Sequence, residues 1–321
     1  LSIESSSLKF SGHQTFPVRY GWIYKIIQEV KSNISISSKG TIEQQMVSMG
    51  MGKNMVLSVR HWIKALHLVE PSEDKEIDFK LTQLAETLFV NTDDQKAWDE
   101  FLDKVGTIWL LHWLTQSIPS SEAELNTARW YFNYFNGVRI DKQQLARDIN
   151  LSLVNHDKEL TEATLRKDID CFFQTYATKY SVNKKLSEDS FTSPFTELGL
   201  LVQLDGKTYL SELSNRKSLP DEVFVFAIID FMQKKQIDKS GDVISNENTF
   251  SFDNLLNGIG SPGRVFRLTA NGLSEKLDSV ERITDGKIAW TDTQGLRQVQ
   301  HSFDDLQAID ASTFLTGYYK R

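Results

Sequence analysis

The stretch that most constrains this chain is residues 41–70, TIEQQMVSMGMGKNMVLSVRHWIKALHLVE, where glycines divide two helical segments. Thr41, with Gln44 three residues on, forms a capping box for the first segment. Gly50 and Gly52 break it in a turn that needs backbone near φ > 0. Asn54 caps the second segment, which runs to about Leu66 with Val56, Val59, Ile63 and Leu66 spaced along one apolar face. Met55 and Trp62 widen that face, and Lys53, Asn54, Leu57, Ser58, Arg60, His61 and Lys64 take the remaining sides. Such a pattern is a helix-turn-helix, with one face inward and the other free to meet phosphates and base edges. A plain αα-hairpin in a core is the commoner use of the same spacing.

The sequel favours the first reading. A short strand at residues 68–70, an acidic turn from Pro71 to Glu76 and an alternating strand through Ile77, Phe79 and Leu81 make a β-hairpin, after which Thr82 caps a helix. Helix, turn, helix, hairpin and closing helix together describe a winged helix. The rhythm returns twice. Residues 137–211 carry a helix around KQQLARDI, a second capped by Thr161 with Leu165, Ile169 and Phe172 inward, and a hairpin at Asp205-Gly206. Residues 220–321 carry a helix from Pro220 to Gln233 and a terminal hairpin around Thr293-Gln294-Gly295. The expected fold is mainly α with small β-hairpin wings, an α+β class, in tandem winged-helix-like units. The expected boundaries are 1–125, 126–215 and 216–321, the first closing in the turn at Ile118-Pro119-Ser120-Ser121-Glu122.

The net charge of −7 argues at first against nucleic acid, but its distribution matters more. Residues 1–70 hold eight Lys/Arg against four Asp/Glu, and residues 71–125 hold four against twelve. The basic excess coincides with the helix-turn-helix. No apolar run is long enough to span a bilayer, and LSIESSSLKF lacks a secretory pattern, so a cytoplasmic protein with no membrane partner is expected. A single cysteine, Cys171, excludes an internal disulfide and a multi-cysteine zinc site.

Residues 10–22, FSGHQTFPVRYGW, are dense in functional groups. Pro17 suits the first turn of a helix continuing through Trp22, Ile23 and Ile26, which would leave free N–H groups near Thr15 and Phe16 for a phosphate. His13, Arg19 and Tyr20 are the best local set for metal-free phosphodiester chemistry, with His61, Arg60 and Lys64 as the alternative set. An arm that staples its aromatics onto the first domain explains the same residues without chemistry. The candidate DNA contacts are Lys53, Asn54, Ser58, Arg60, His61, Lys64, Arg166 and Lys167, with Lys184 and Lys185 as further backbone contacts. Arg264 and Arg267 stand out as possible phosphate ligands beside GIGSPG, which lacks the lysine and spacing of a nucleotide loop. The helix around TIWLLHWL has almost no polar face, so His112 reads as a satisfied core histidine, and the aromatic run at residues 129–136 reads as a core or a dimer face.

FSGHQTFPVRYGW, MGMGKNMVLSVRHWIKALHLVE, TIWLLHWL and SPFTELGL resemble an SspB-like family of bacterial DNA phosphorothioation and anti-phage defence proteins, formerly catalogued as a domain of unknown function. The resemblance implies double-stranded DNA as a partner, beside a cysteine desulfurase, an ATPase and an ATP pyrophosphatase. It implies nicking of DNA so that sulfur can replace a non-bridging phosphate oxygen, with Mg²⁺ or Mn²⁺ as the metal if the nick is metal-dependent. A non-enzymatic adaptor or transcription regulator that binds DNA and recruits the machinery is the alternative. Gln14 and Val18 stand where the family leads one to expect Glu and Leu, which puts an acidic role at position 14 in doubt.

Overall fold

Gly21 sits in the left-handed region at φ 75°, and this lets the chain turn from an irregular loop into α1 (Trp22–Lys31). The computed structural model describes residues 7–74, 77–117, 124–154, 160–179, 193–237, 242–293 and 295–320. Ile23, Ile26, Ile27 and Val30 recur at helical spacing in α1 and are buried. α1 packs on α3 (Lys53–Ala65) and on β2 (Phe79–Leu81). Between them, α2 (Ile42–Met49) ends at Gly50 with φ 65°, the left-handed C-cap its glycine permits. β1 (Val69–Pro71) pairs antiparallel with β2, and Thr82 accepts from Ala85 N–H to cap α4 (Gln83–Phe89).

Two capping expectations fail. Thr41 lies in helical geometry and caps nothing; its hydroxyl donates to the Ser35 carbonyl at 2.7 Å. Gly52, extended at φ −69°, precedes α3, so Asn54 is already inside the helix. At the first start Thr41 is committed to the loop 35–41, and at the second the helix begins earlier than the asparagine cap requires. Pro17 likewise begins no helix, because Gln14 and Thr15 at φ 49° and 65° keep the backbone irregular up to Gly21.

α5 (Val105–Gln116) is buried almost all round, with Trp109 and Trp113 fully enclosed. Enclosing such a side chain contributes more than the ~1.5–3 kcal/mol typical of smaller apolar residues. α5 packs on α6 (Thr127–Tyr134) and α9 (Asp221–Lys235). The aromatic run that opens in α6 is core: Trp130, Tyr131, Phe132 and Phe135 are buried. His112 in α5 is fully buried; its Nε2–H donates to the Val265 carbonyl at 2.8 Å, which leaves Nδ1 to accept from the Tyr176 hydroxyl at 3.0 Å.

The second unit joins β3 (Arg139–Asp141), α7 (Lys142–Ser152), α8 (Glu162–Tyr176), β4 (Ala177–Lys179), β5 (Leu201–Gln203) and β6 (Thr208–Leu210). Its sheet runs β3-β6-β5-β4, with β4 and β5 parallel. Asp205 closes the β5–β6 turn by accepting from the N–H groups of Lys207 and Thr208. The third unit adds β7 (Thr249–Ser251), α10 (Phe252–Asn257), α11 (Pro262–Val265) and α12 (Ala270–Ile283). A hairpin of β8 (Ile288–Thr293) and β9 (Leu296–His301) follows in the sheet order β7-β9-β8, and α13 (Thr316–Tyr319) ends the described chain. In both units the first strand pairs with the last strand of the hairpin. The chain is thus an α+β fold, and one continuous apolar cluster runs from Leu8 to Tyr319. The turn at 118–122, Lys184 and Lys185, Glu76 and the hairpin residue Gln294 lie outside the described residues. No described helix is long and apolar enough to cross a membrane.

Candidate functional site

The loop of residues 10–21 lies across α3, and its backbone is shaped for close contact. Gly12 has φ 112°, and a Cβ there would come within 2.6 Å of the His61 ring. His13 is buried behind it. Its Nδ1 accepts from Thr15 N–H at 3.0 Å, so Nε2 carries the proton and donates to Asp168 of α8 at 3.1 Å. The other oxygen of Asp168 accepts from Thr127 N–H at 2.8 Å. One carboxylate therefore ties the loop, α6 and α8 together.

The three residues expected to act together are anchored to different partners. His13 holds Asp168. The Arg19 guanidinium lies over the rings of Phe16 and Trp22, at 5.5 and 5.6 Å. The Tyr20 hydroxyl donates to Glu197, and burial together with that carboxylate raises its pKa, holding it as a phenol. Thr15 and Phe16 offer no free N–H pair for a phosphate, since Thr15 N–H is bound to the His13 ring and Phe16 N–H to the His13 carbonyl. Asp168 and Glu197 are the partners that sequence reading missed. They lie 155 and 177 residues beyond the groups they bind, and no local pattern signals such a pairing.

On α3 the expected cationic ridge is largely turned inward. Ser58 is fully buried beneath the Phe16 carbonyl. Arg60 is only 6% exposed. Its Nε donates to Gln45 Oε1, Nη1 to the Ser38 carbonyl and Nη2 to Thr41 Oγ1, each at 2.7 Å. Both residues are thus corrected from surface contacts to internal ones, because the loops 10–21 and 35–41 cover the faces that carry them. His61 is pushed down to about 4 by burial and then by His13 and Lys9, so it is a neutral ring at neutral pH. Lys64 donates to Ser37 Oγ at 2.9 Å and sits 4.1 Å over the Phe79 ring. Lys53 and Asn54, at the start of α3, remain exposed.

α8 is arranged the other way. Asp168 and Tyr176 face inward, while Arg166 and Lys167 are exposed. Arg166 lines a groove of about 750 Å³ between α7, α8 and the β5–β6 turn, where Lys142 and Lys207 also stand. Asp141, Glu162 and Asp170 offset these cations, and Lys142 is paired with Asp170.

With this geometry in view, the family described as "Protein of unknown function (DUF4007)" matches residues 10–319. The chain belongs to the DUF4007 family. Its fold is similar to two solved structures over 98% of this chain and 88% of each of those chains. One is SspB with magnesium ion bound, at TM-score 0.79 and 24% identity; the other is an SspB structure at TM-score 0.76 and 25% identity. No curated protein matches the sequence. Magnesium is a feature of that first relative. In this family member, no three His, Cys, Asp or Glu side chains among the described residues converge as a metal-binding group. Asp168 and Glu197, the carboxylates bound to the loop, are already engaged by His13, Thr127 and Tyr20. The described residues therefore do not fit a prebuilt magnesium cage.

Proposed function

We propose that this chain is the DNA-binding component of an Ssp-type phosphorothioate-modification system in anti-phage defence, and that it nicks DNA to admit sulfur. The observation that carries this reading is the likeness in fold to SspB along nearly the whole chain. In this reading, Arg166 and Lys167 on α8 are the main phosphate contacts, with Lys53 and Asn54 as a second point of contact. Exposed cations bind the backbone whatever the base sequence, releasing counterions as they do so. A cysteine desulfurase, an ATPase and an ATP pyrophosphatase are the partners that complete such a system.

A second reading, the non-enzymatic adaptor, gains support from His13. A general base needs a free lone pair within reach of the attacking group, and both ring nitrogens of His13 are occupied. Supercoiled plasmid separates the two readings. A nickase gives open-circular product with Mg²⁺ or Mn²⁺ and loses it with chelator if the metal is needed. DNA binding with no open-circular product under any of these conditions leaves the adaptor.

A further inference from the structure

The third unit contains a group of cations that the proposed function leaves without a role. Arg264 and Arg267 line a cavity of about 110 Å³, together with Phe132, Phe135 and Asn136. Arg267 is 5% exposed. Its terminal nitrogens donate to the carbonyls of Phe135 at 3.3 Å, Gly137 at 2.8 Å and Ser211 at 2.7 Å. Its Nε is buried with no hydrogen-bond partner. A buried donor left over in this way is rare and calls for an acceptor. Arg264 is half-buried, and its Nε donates to the Asn257 carbonyl at 2.8 Å. Nearby, Arg216 donates to the carbonyls of Phe266, Gly199 and Glu212.

Carbonyl oxygens satisfy N–H groups but bring no net negative charge. Among the described residues, none of these three arginines forms an ion pair with Asp or Glu. No described carboxylate lines the cavity. Burial lowers the pKa of Arg216 and Arg264, and the charge of Arg267 lowers both further. Arg216 and Arg267 also hold left-handed backbone, at φ 46° and 54°, a conformation that costs a residue with a Cβ. The fold thus gathers partly buried positive charge at a small cavity, and among the described residues only Glu212, acting on Arg216 from outside the cavity lining, brings a carboxylate against it.

We propose that this cavity binds a terminal phosphoryl group, either as inorganic phosphate or as the phosphate-bearing end of a nucleic-acid strand. Its size suits one tetrahedral oxyanion, for which arginine is the matching donor. Its floor is buried, with Phe132 and Leu268 each 1% exposed. A chain end or a free anion enters so small a cavity more readily than a phosphate flanked by sugars on both sides. The site stands whether or not the chain nicks DNA.

Calorimetric titration of the full chain with inorganic phosphate, against chloride at equal ionic strength, tests it. Saturable binding of one phosphate is expected, weakened about tenfold or more by Arg264→Gln. Asn136→Asp is the second variant: Asn136 is exposed at the rim, so the change adds a repelling charge without touching the core, and it should weaken phosphate binding similarly. A single-stranded oligonucleotide carrying a 5′-phosphate, compared with its 5′-hydroxyl counterpart, separates the sources. Tighter binding of the phosphorylated end, lost in Asn136→Asp, assigns the strand terminus. Equal binding of both oligonucleotides, with phosphate binding intact, assigns the free anion. No saturable phosphate binding, or wild-type phosphate affinity in a folded Asn136→Asp, overturns the proposal.

Discussion

α3 and α8 are each the later helix of a packed pair, α2 with α3 and α7 with α8, yet they use their polar residues in opposite ways. In α3, Ser58 and Arg60 point into the molecule, and Lys64 is drawn onto Phe79 and Ser37. In α8, Asp168 and Tyr176 do the internal bonding and leave Arg166 and Lys167 in solvent. A charged residue on an amphipathic helix is therefore no guide to a binding face until the loops that cross the helix are known. Arg60 secures the loop 35–41, and Asp168 secures the loop 10–21.

Arg60→Ala should expose this difference most strongly. It removes a buried guanidinium that holds Gln45, Ser38 and Thr41, and should cost about 2–4 kcal/mol of stability by urea denaturation. A loss below about 0.5 kcal/mol, the range of ordinary surface changes, would mean that Arg60 is free to act elsewhere.

Acid should loosen the attachment of α8 next. Burial pushes His112 down to about 3, far below its ordinary 6.5, so the folded chain resists the proton that the unfolded chain accepts. The stability contribution is complete above pH ~6.5 and is lost as pH falls toward ~3, at ~1.4 kcal/mol per pH unit from this residue. About 2 kcal/mol from His112 alone should be gone by pH ~5, beside the losses from His61 and His67, which burial also holds down, and His112→Gln should flatten the decline. An unchanged acid limb in that variant would show that His112 does not contribute to it and that the limb belongs to other groups such as His61 and His67.

Smallest is the contact between the loop 10–21 and Glu197. Tyr20→Phe removes one partly exposed hydrogen bond and should cost about 0.5–1.5 kcal/mol. A nicking defect in that variant, with stability unchanged, would sharpen the case for chemistry at the loop.

Much of this contrast was readable in part. The glycine break at Gly50, the capping of α4 and α8 by Thr82 and Thr161, the all-round apolar α5 and the Asp205–Gly206 turn are local signals, and each element formed where its residues require. The inward position of Arg60 was also in the spacing, since it lies four residues after Val56 and three before Ile63. Ser58 and His61 could not be placed in the same way, because the loop that covers them is irregular and positive at Gly12, Gln14 and Thr15. β3 and β7 are three residues each, too short to show alternation, and their partners lie tens of residues away. The His13–Asp168 and Tyr20–Glu197 contacts depend on the assembled units, where single-sequence periodicity has no reach.

The salt dependence of binding to a DNA duplex, measured for Arg166→Ala/Lys167→Ala beside Lys53→Ala, tests the assignment of α8 most directly. If α8 carries the phosphate contacts, the double variant should bind more weakly to every sequence, and its slope of log affinity against log salt should fall by about two units, with about one for Lys53→Ala. Wild-type affinity and slope in a folded Arg166→Ala/Lys167→Ala protein would contradict it and remove α8 from the interface.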